Sequence, residues 1–181
     1  MLTEGERAPE LGIPDAHGET VTLAGLRGKK VVVYFYPRDD TPGCTVEACG
    51  FRDHDAAIAA AGAVVLGISP DDAKSHAKFA RKHGLPFRLL CDPDHRVAEA
   101  WGAWGEKSMY GKKYMGVLRS TFLVDEQGRI ARAWPKVKVD GHAAEVLAAV
   151  RGEAGPPPAK PKARKPAAKK KPAAQKKTRK R

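Results

Sequence analysis

The chain carries Cys44, Cys49 and Cys91, and the first two share one short segment, residues 36–53, in which reactive residue types are crowded. Thr41-Pro42 is a helix-start signal, with Thr as the N-cap and Pro at the first helical position. Cys44 then falls in the first turn, where unpaired backbone N–H groups and the positive end of the helix dipole favour an anion. For cysteine that anion is the thiolate, the nucleophilic form. A small apolar side chain packed at a helix start would fit the same position. The company of Pro37, Thr41 and a second cysteine favours the reactive reading.

Cys49 follows with a C-x4-C spacing, not the C-x-x-C of a dithiol oxidoreductase. On a continuous helix, five residues give about 7.5 Å of rise and about 140° of rotation, which puts the Cα atoms roughly 8.6 Å apart. A disulfide needs less than about 7 Å. A Cys44–Cys49 bond therefore requires the helix to unwind locally. Alone, Cys49 reads more readily as a buried helical thiol with no role than as a working one. Cys91 closes a short strand-like run before Asp92-Pro93 and reads as a structural thiol, with a second resolving role as the alternative. Cys44, Cys49 and His54 match no common zinc spacing and lack an evident fourth ligand. The six histidines show no nucleophile–base pairing.

These residues need elements to hold them. Residues 30–36, β-branched and aromatic between Gly28 and Pro37, read as a buried central strand. Residues 41–61 read as the helix that carries Cys44. Further strands are expected at 63–68, 88–91, 121–124 and 129–134, with helices at 71–83, 95–101 and 141–150. Residues 21–23 read as one arm of an early hairpin. The order implies an α/β fold with a central mixed sheet and helices on both faces. The closing hairpin and helix suit a thioredoxin-like arrangement. The reactive segment falls at the C-terminal end of a buried strand, where open α/β sheets place their sites.

The motif resembles the peroxiredoxins, in particular the bacterioferritin comigratory protein or peroxiredoxin Q subfamily. Pro37-x-x-x-Thr41-x-x-Cys44 is similar to the signature around a peroxidatic cysteine. The likeness runs on through Glu47-Ala48-Cys49-x-Phe51-Arg52-Asp53, Trp104-Gly105-Glu106-Lys107, Met109-Tyr110-Gly111-Lys112 and Gly116-Val117-x-Arg119-Ser120-Thr121-Phe122-Leu123-Val124-Asp125, and covers about residues 3–151. It implies a thiol peroxidase in which Cys44 becomes a sulfenic acid and Cys49 resolves it as an intramolecular disulfide. A thioredoxin-type donor would reduce that disulfide. No metal or organic cofactor is required. Arg119 corresponds to the active-site arginine, a fixed cation for the thiolate and for charge developing on the peroxide. Elsewhere it would read as an ordinary surface arginine. Thr41 is expected to donate its hydroxyl to thiolate or peroxide, and Pro37 to shape the pocket. Glu47, one turn from Cys44, would alone oppose the thiolate. It is expected to pair with Arg119 or another cation and orient it, or else to be a plain exposed acid. Trp101 is expected to pack, and Trp104 to pack or to line the approach.

Charge divides the chain. The net charge is +12 over 181 residues. Residues 152–181 hold 12 Lys or Arg against Glu153 alone, a local +11, so residues 1–151 carry only +1. The final segment has Ala as its sole apolar residue and six prolines, a composition expected to be disordered. Two parts are therefore expected, a thioredoxin-like domain at 1–151 and a basic tail at 152–181. The tail suits weak, non-specific, salt-sensitive contact with nucleic acid, or plain solvation. No run of about 18 apolar residues and no secretory-type N-terminus is found. The expectation is a cytoplasmic monomer, off the membrane and held near the nucleoid if its tail binds DNA. A redox sensor or disulfide reductase, and a nucleic-acid-binding protein with the body as scaffold, are the competing readings.

Overall fold

A computed structural model of the chain describes residues 1–153. The expected disordered basic tail lies outside the described residues from position 154 onward. In chain order the elements are β1 (Ile13–Pro14), β2 (Thr20–Val21), a 3-10 turn (Ala24–Leu26), β3 (Lys30–Phe35), α1 (Pro42–Ala60), β4 (Ala63–Ser69), α2 (Ala73–His83) and β5 (Arg88–Cys91). There follow α3 (Arg96–Ala100), β6 (Trp104–Met109), β7 (Lys112–Val117), β8 (Ser120–Val124), β9 (Ile130–Trp134) and α4 (His142–Val150).

The central sheet has the order β5-β4-β3-β8-β9. β3 runs parallel to β4, and β4 to β5, while β8 and β9 are antiparallel to their neighbours. Parallel neighbours need crossovers, and right-handed crossovers stepping in one direction put α1 and α2 on the same face. The side chains follow the pleat. Val32, Tyr34 and Tyr36 pack with Ala48, Phe51 and Ile58 of α1, Phe79 of α2, and Val146 and Val150 of α4. Val31, Val33 and Phe35 point the other way, onto Val97, Ala98 and Trp101 around α3 and onto Leu11, Ile13 and Val21 near the N-terminus. The expected mixed sheet with helices on both faces is the observed architecture, and it has the closing hairpin and helix of the expected thioredoxin-like arrangement.

Two expectations are corrected. The arm expected at 21–23 is a strand only at Thr20–Val21, because Leu23 already leads into the 3-10 turn. Between α3 and β8 the chain forms a separate two-stranded ribbon, β6–β7, for which no strand was expected. Its turn residues Tyr110 and Gly111 both have positive φ, 51° and 77°, the geometry of a tight hairpin turn.

One consequence of the topology matters most for the site. β8 is antiparallel to β3, and Phe35 pairs with Ser120. The start of β8 therefore lies beside the end of β3. Arg119 and the segment leading to Cys44 leave the sheet at the same place, although 75 residues separate Arg119 from Cys44.

Candidate active site

The loop from Pro37 to Thr41 joins β3 to α1, and it is fastened before the helix begins. Asp39 is buried; its carboxylate accepts from Tyr36 Oη at 2.7 Å and Ser75 Oγ at 2.7 Å, and faces His76 Nδ1 at 2.8 Å. Its backbone N–H donates to Asp71 Oδ2 at 2.8 Å. Asp40 has a φ of 57° and lies 2.9 Å from His83 Nε2 and 2.6 Å from Lys82 Nζ. Those hydrogen bonds, His83 first and Lys82 second, hold its carboxyl below the usual range. None of Asp39, Asp40 and His76 was singled out in the sequence. The adjacent acids before Thr41-Pro42 look like ordinary loop residues, and their partners on α2 are far along the chain.

Thr41 is the N-cap of α1, with extended backbone, and Pro42 is the first helical residue. Its carbonyl accepts from Thr45 N–H at 2.8 Å. Its hydroxyl donates to Arg38 O at 3.1 Å and makes no capping bond. The helix start is as expected. The hydroxyl, however, is committed to a carbonyl, so donation to thiolate or peroxide requires that bond to be given up. Pro37 sits half-buried at the head of the same loop.

Cys44 and Glu47 lie three residues apart on α1, so they share a helix face. Both are buried, and Glu47 is only 2 % exposed. Arg119 reaches both: Nη2 donates to Cys44 Sγ at 3.3 Å, and Nη1 donates to Glu47 Oε2 in a close ion pair. The guanidinium lies against the first turn of α1. A Cβ at Gly43 would stand 3.3 Å from Arg119 Nη2, so any larger residue there would press on it. Burial alone would lower the Arg119 pKa, but the negative charges of Glu47 and Cys44 outweigh it and raise it. Glu47 shows the opposite balance. Burial pushes its carboxyl from 4.5 up to about 7, against the pull of Arg119. Its second oxygen, Oε1, has no hydrogen-bond partner among the described residues. The expected exposed alternative for Glu47 is therefore excluded, and the pairing with Arg119 is present.

Cys49 is half-buried on the same helix, which runs unbroken through both cysteines, and all three thiols are free. His54 Nδ1 is 2.8 Å from Gly50 O, turned to its own helix rather than to either thiol. Cys91 is buried at the end of β5. Burial, and then the charges of Asp72, Asp39, Asp15 and Asp71, push its thiol up to about 11. That keeps it protonated and inert near neutral pH. Trp101 is fully buried against Phe35 and Phe122, while Trp104 stacks on His95 at 3.7 Å. The arrangement can therefore hold a buried sulfur as an anion beside a fixed cation, with a second thiol five residues away.

Residues 5–133 match the AhpC/TSA family. Over 143 residues the chain is 55% identical to a putative peroxiredoxin Bcp of Coxiella burnetii, covering 79% of this chain and 95% of that protein. It is 52% identical to peroxiredoxin Bcp of Bacillus subtilis over 143 residues, covering 79% and 91%. The fold superposes on the bacterioferritin comigratory protein of Xanthomonas campestris with a TM-score of 0.75 at 43% identity, over 78% of this chain and 90% of that one.

Proposed function

The chain belongs to the AhpC/TSA family and so to the thiol-dependent peroxidases, and on that premise we propose that Cys44 is the peroxidatic and Cys49 the resolving cysteine of an atypical two-cysteine peroxiredoxin. One observation carries the proposal: the Arg119 guanidinium bridges Cys44 Sγ and Glu47 at the end of β3. In the reaction, the Cys44 thiolate attacks the terminal oxygen of a hydroperoxide. The O–O bond breaks, Cys44 becomes a sulfenic acid, and water or an alcohol leaves. The Cys49 thiol then condenses with the sulfenic acid, forming the Cys44–Cys49 disulfide and releasing water. A thioredoxin-type dithiol returns both to thiols.

Arg119 serves two charges in sequence, the thiolate and then the oxygen of the breaking bond. Glu47 holds one edge of the guanidinium so that the other faces sulfur. The relative in Xanthomonas campestris is described for alkyl peroxide reduction, which supports organic hydroperoxides beside hydrogen peroxide as substrates. The resolving step needs more than contact. On the unbroken α1 the two Cα atoms stand roughly 8.6 Å apart, beyond the reach of about 7 Å for a disulfide. The first turns of α1 must therefore open after Cys44 is oxidised. We read the enzyme as a monomer, because its disulfide need not cross chains.

Peroxide consumption with a thioredoxin system, run on the wild type, Cys44→Ser and Cys49→Ser, tests the assignment. Cys44→Ser should lose turnover by at least about a thousandfold, as removal of a nucleophile does. Cys49→Ser should consume one equivalent of peroxide and stop. Full turnover by Cys44→Ser ends the proposal, and sustained turnover by Cys49→Ser removes Cys49 from it.

A further inference from the structure

We propose that Lys107, on the β6–β7 ribbon, is the acid that protonates the oxygen leaving the peroxide, an assignment that rests on the peroxidase reading above. The chemistry leaves an opening for such a group. When the Cys44 thiolate takes the OH end of ROOH, the O–O bond breaks and its electron pair leaves on RO⁻. The balance is Cys–S⁻ plus ROOH giving Cys–SOH plus RO⁻, and RO⁻ then needs one proton. Hydroxide and alkoxides are strong bases, so a positioned acid lowers the barrier to their departure. Arg119 offers charge but holds its protons too tightly to supply one, and its anionic neighbours strengthen that hold. The Thr41 hydroxyl is bonded to Arg38 O.

Lys107 is held beside the backbone that leads into Arg119. It lies on β6 opposite Tyr114, and its Nζ donates to Val117 O at 3.0 Å, two residues before Arg119. Its stem crosses the ribbon over Gly116, where a Cβ would stand 3.1 Å from Lys107 Cδ. The Tyr114 ring lies 5.9 Å from the ammonium. Only one donor is used in this way, and among the described residues no carboxylate forms an ion pair with Lys107. Lys113 on the same ribbon differs, since it is paired with Glu106 at 3.1 Å. Lys107 also feels the charges of Arg119 and Cys44. Burial lowers its pKa and the Arg119 charge lowers it further, while the Cys44 charge opposes them. The net direction makes it a readier proton donor than an ordinary lysine. The half-exposed amine is then reprotonated from solvent.

The test separates proton donation from charge. Oxidation of Cys44 is followed by stopped flow in the wild type, Lys107→Gln and Lys107→Arg, with hydrogen peroxide, tert-butyl hydroperoxide and peracetic acid. Peracetic acid expels acetate, a weak base that needs no proton. Lys107→Gln should slow the first two oxidants by at least about tenfold and peracetic acid by less than about threefold. Lys107→Arg, which keeps stem and charge but not a releasable proton, should show the same selectivity, and it carries the test alone if Lys107→Gln does not fold. Equal slowing with all three oxidants, or wild-type rates in Lys107→Arg, overturns the assignment. A wild type that none of the three oxidises overturns the peroxidase reading instead.

Discussion

Glu47 and His142 are buried titratable groups in the field of Arg119, and burial favours the neutral form of each. Their effects on stability run in opposite directions. Glu47 titrates near 7 when folded against 4.5 in the free side chain, so between these values the folded state binds a proton that the unfolded state does not. Its contribution is complete below about 4.5 and is lost as pH rises towards 7. His142, with its Nε2 2.8 Å from Thr121 Oγ1, is lowered from 6.5 to about 4. Its contribution is complete above 6.5 and is lost as pH falls towards 4. Each is worth on the order of 3 kcal/mol, and the two offset one another across the shared window. Glu47→Gln leaves His142 unopposed, so its urea midpoint should fall as pH drops from 7 to 5. His142→Gln leaves Glu47 unopposed, so its midpoint should fall as pH rises over the same range. Unfolding curves at the two ends of the range check both, and slopes of the same sign in the two variants would contradict the account.

At the scale of the element, α1 is held at two points with a weak stretch between them. Upstream, the ties of Asp39 to Tyr36, Ser75 and His76, and of Asp40 to Lys82 and His83, pin the loop to α2. Downstream, Phe51 stacks on Tyr34 at 4.8 Å and Ile58 is fully buried. Residues 43–50 between these anchors include Gly43, Thr45, Val46 and Gly50, all poor helix formers. The opening that the disulfide demands should therefore be confined to this stretch. Oxidising the enzyme with one equivalent of peroxide should raise amide hydrogen exchange at residues 43–50 and leave residues 52–60 protected. Loss of protection along all of α1 would show that the Phe51 anchor does not hold. The start of this helix was legible because Thr41-Pro42 is a local signal, and the buried strand before it because its apolar run is unbroken. The direction of the Thr41 hydroxyl was not legible, since local sequence does not say which of two acceptors wins. Asp39 and His76 escaped for a related reason: they meet across 37 positions, and nothing near either one marks a loop acid for burial. The β6–β7 ribbon escaped because its outer residues are polar or exposed on both strands, which leaves no alternation to read. Its motifs were noticed only through their likeness to a known subfamily, and that likeness did not say that they form strands.

Across the whole molecule, charge and chemistry are kept apart. Residues 1–151 carry a net +1 and contain every residue of the proposed reaction, while residues 152–181 carry +11. A polycation of this kind contacts phosphates without reading bases, and its binding falls steeply with salt. We infer that the tail is an addition to the peroxidase that holds peroxide removal near nucleic acid. Deleting residues 152–181 should leave the rate of Cys44 oxidation within about twofold, because no group in the reaction is removed. The same deletion should abolish most retention of duplex DNA at low salt. For the full chain, a log–log plot of binding constant against salt should have a slope steeper than about −5, as expected when at least half of twelve cations displace counterions. Gel shifts across a salt series, run beside stopped-flow oxidation on the same preparations, read both quantities. DNA retention that survives the deletion would move the binding onto the folded part, where Lys112 and Lys113 stand exposed at the tip of the ribbon. A fall in the oxidation rate would show that the tail takes part in the reaction and is not an addition to it.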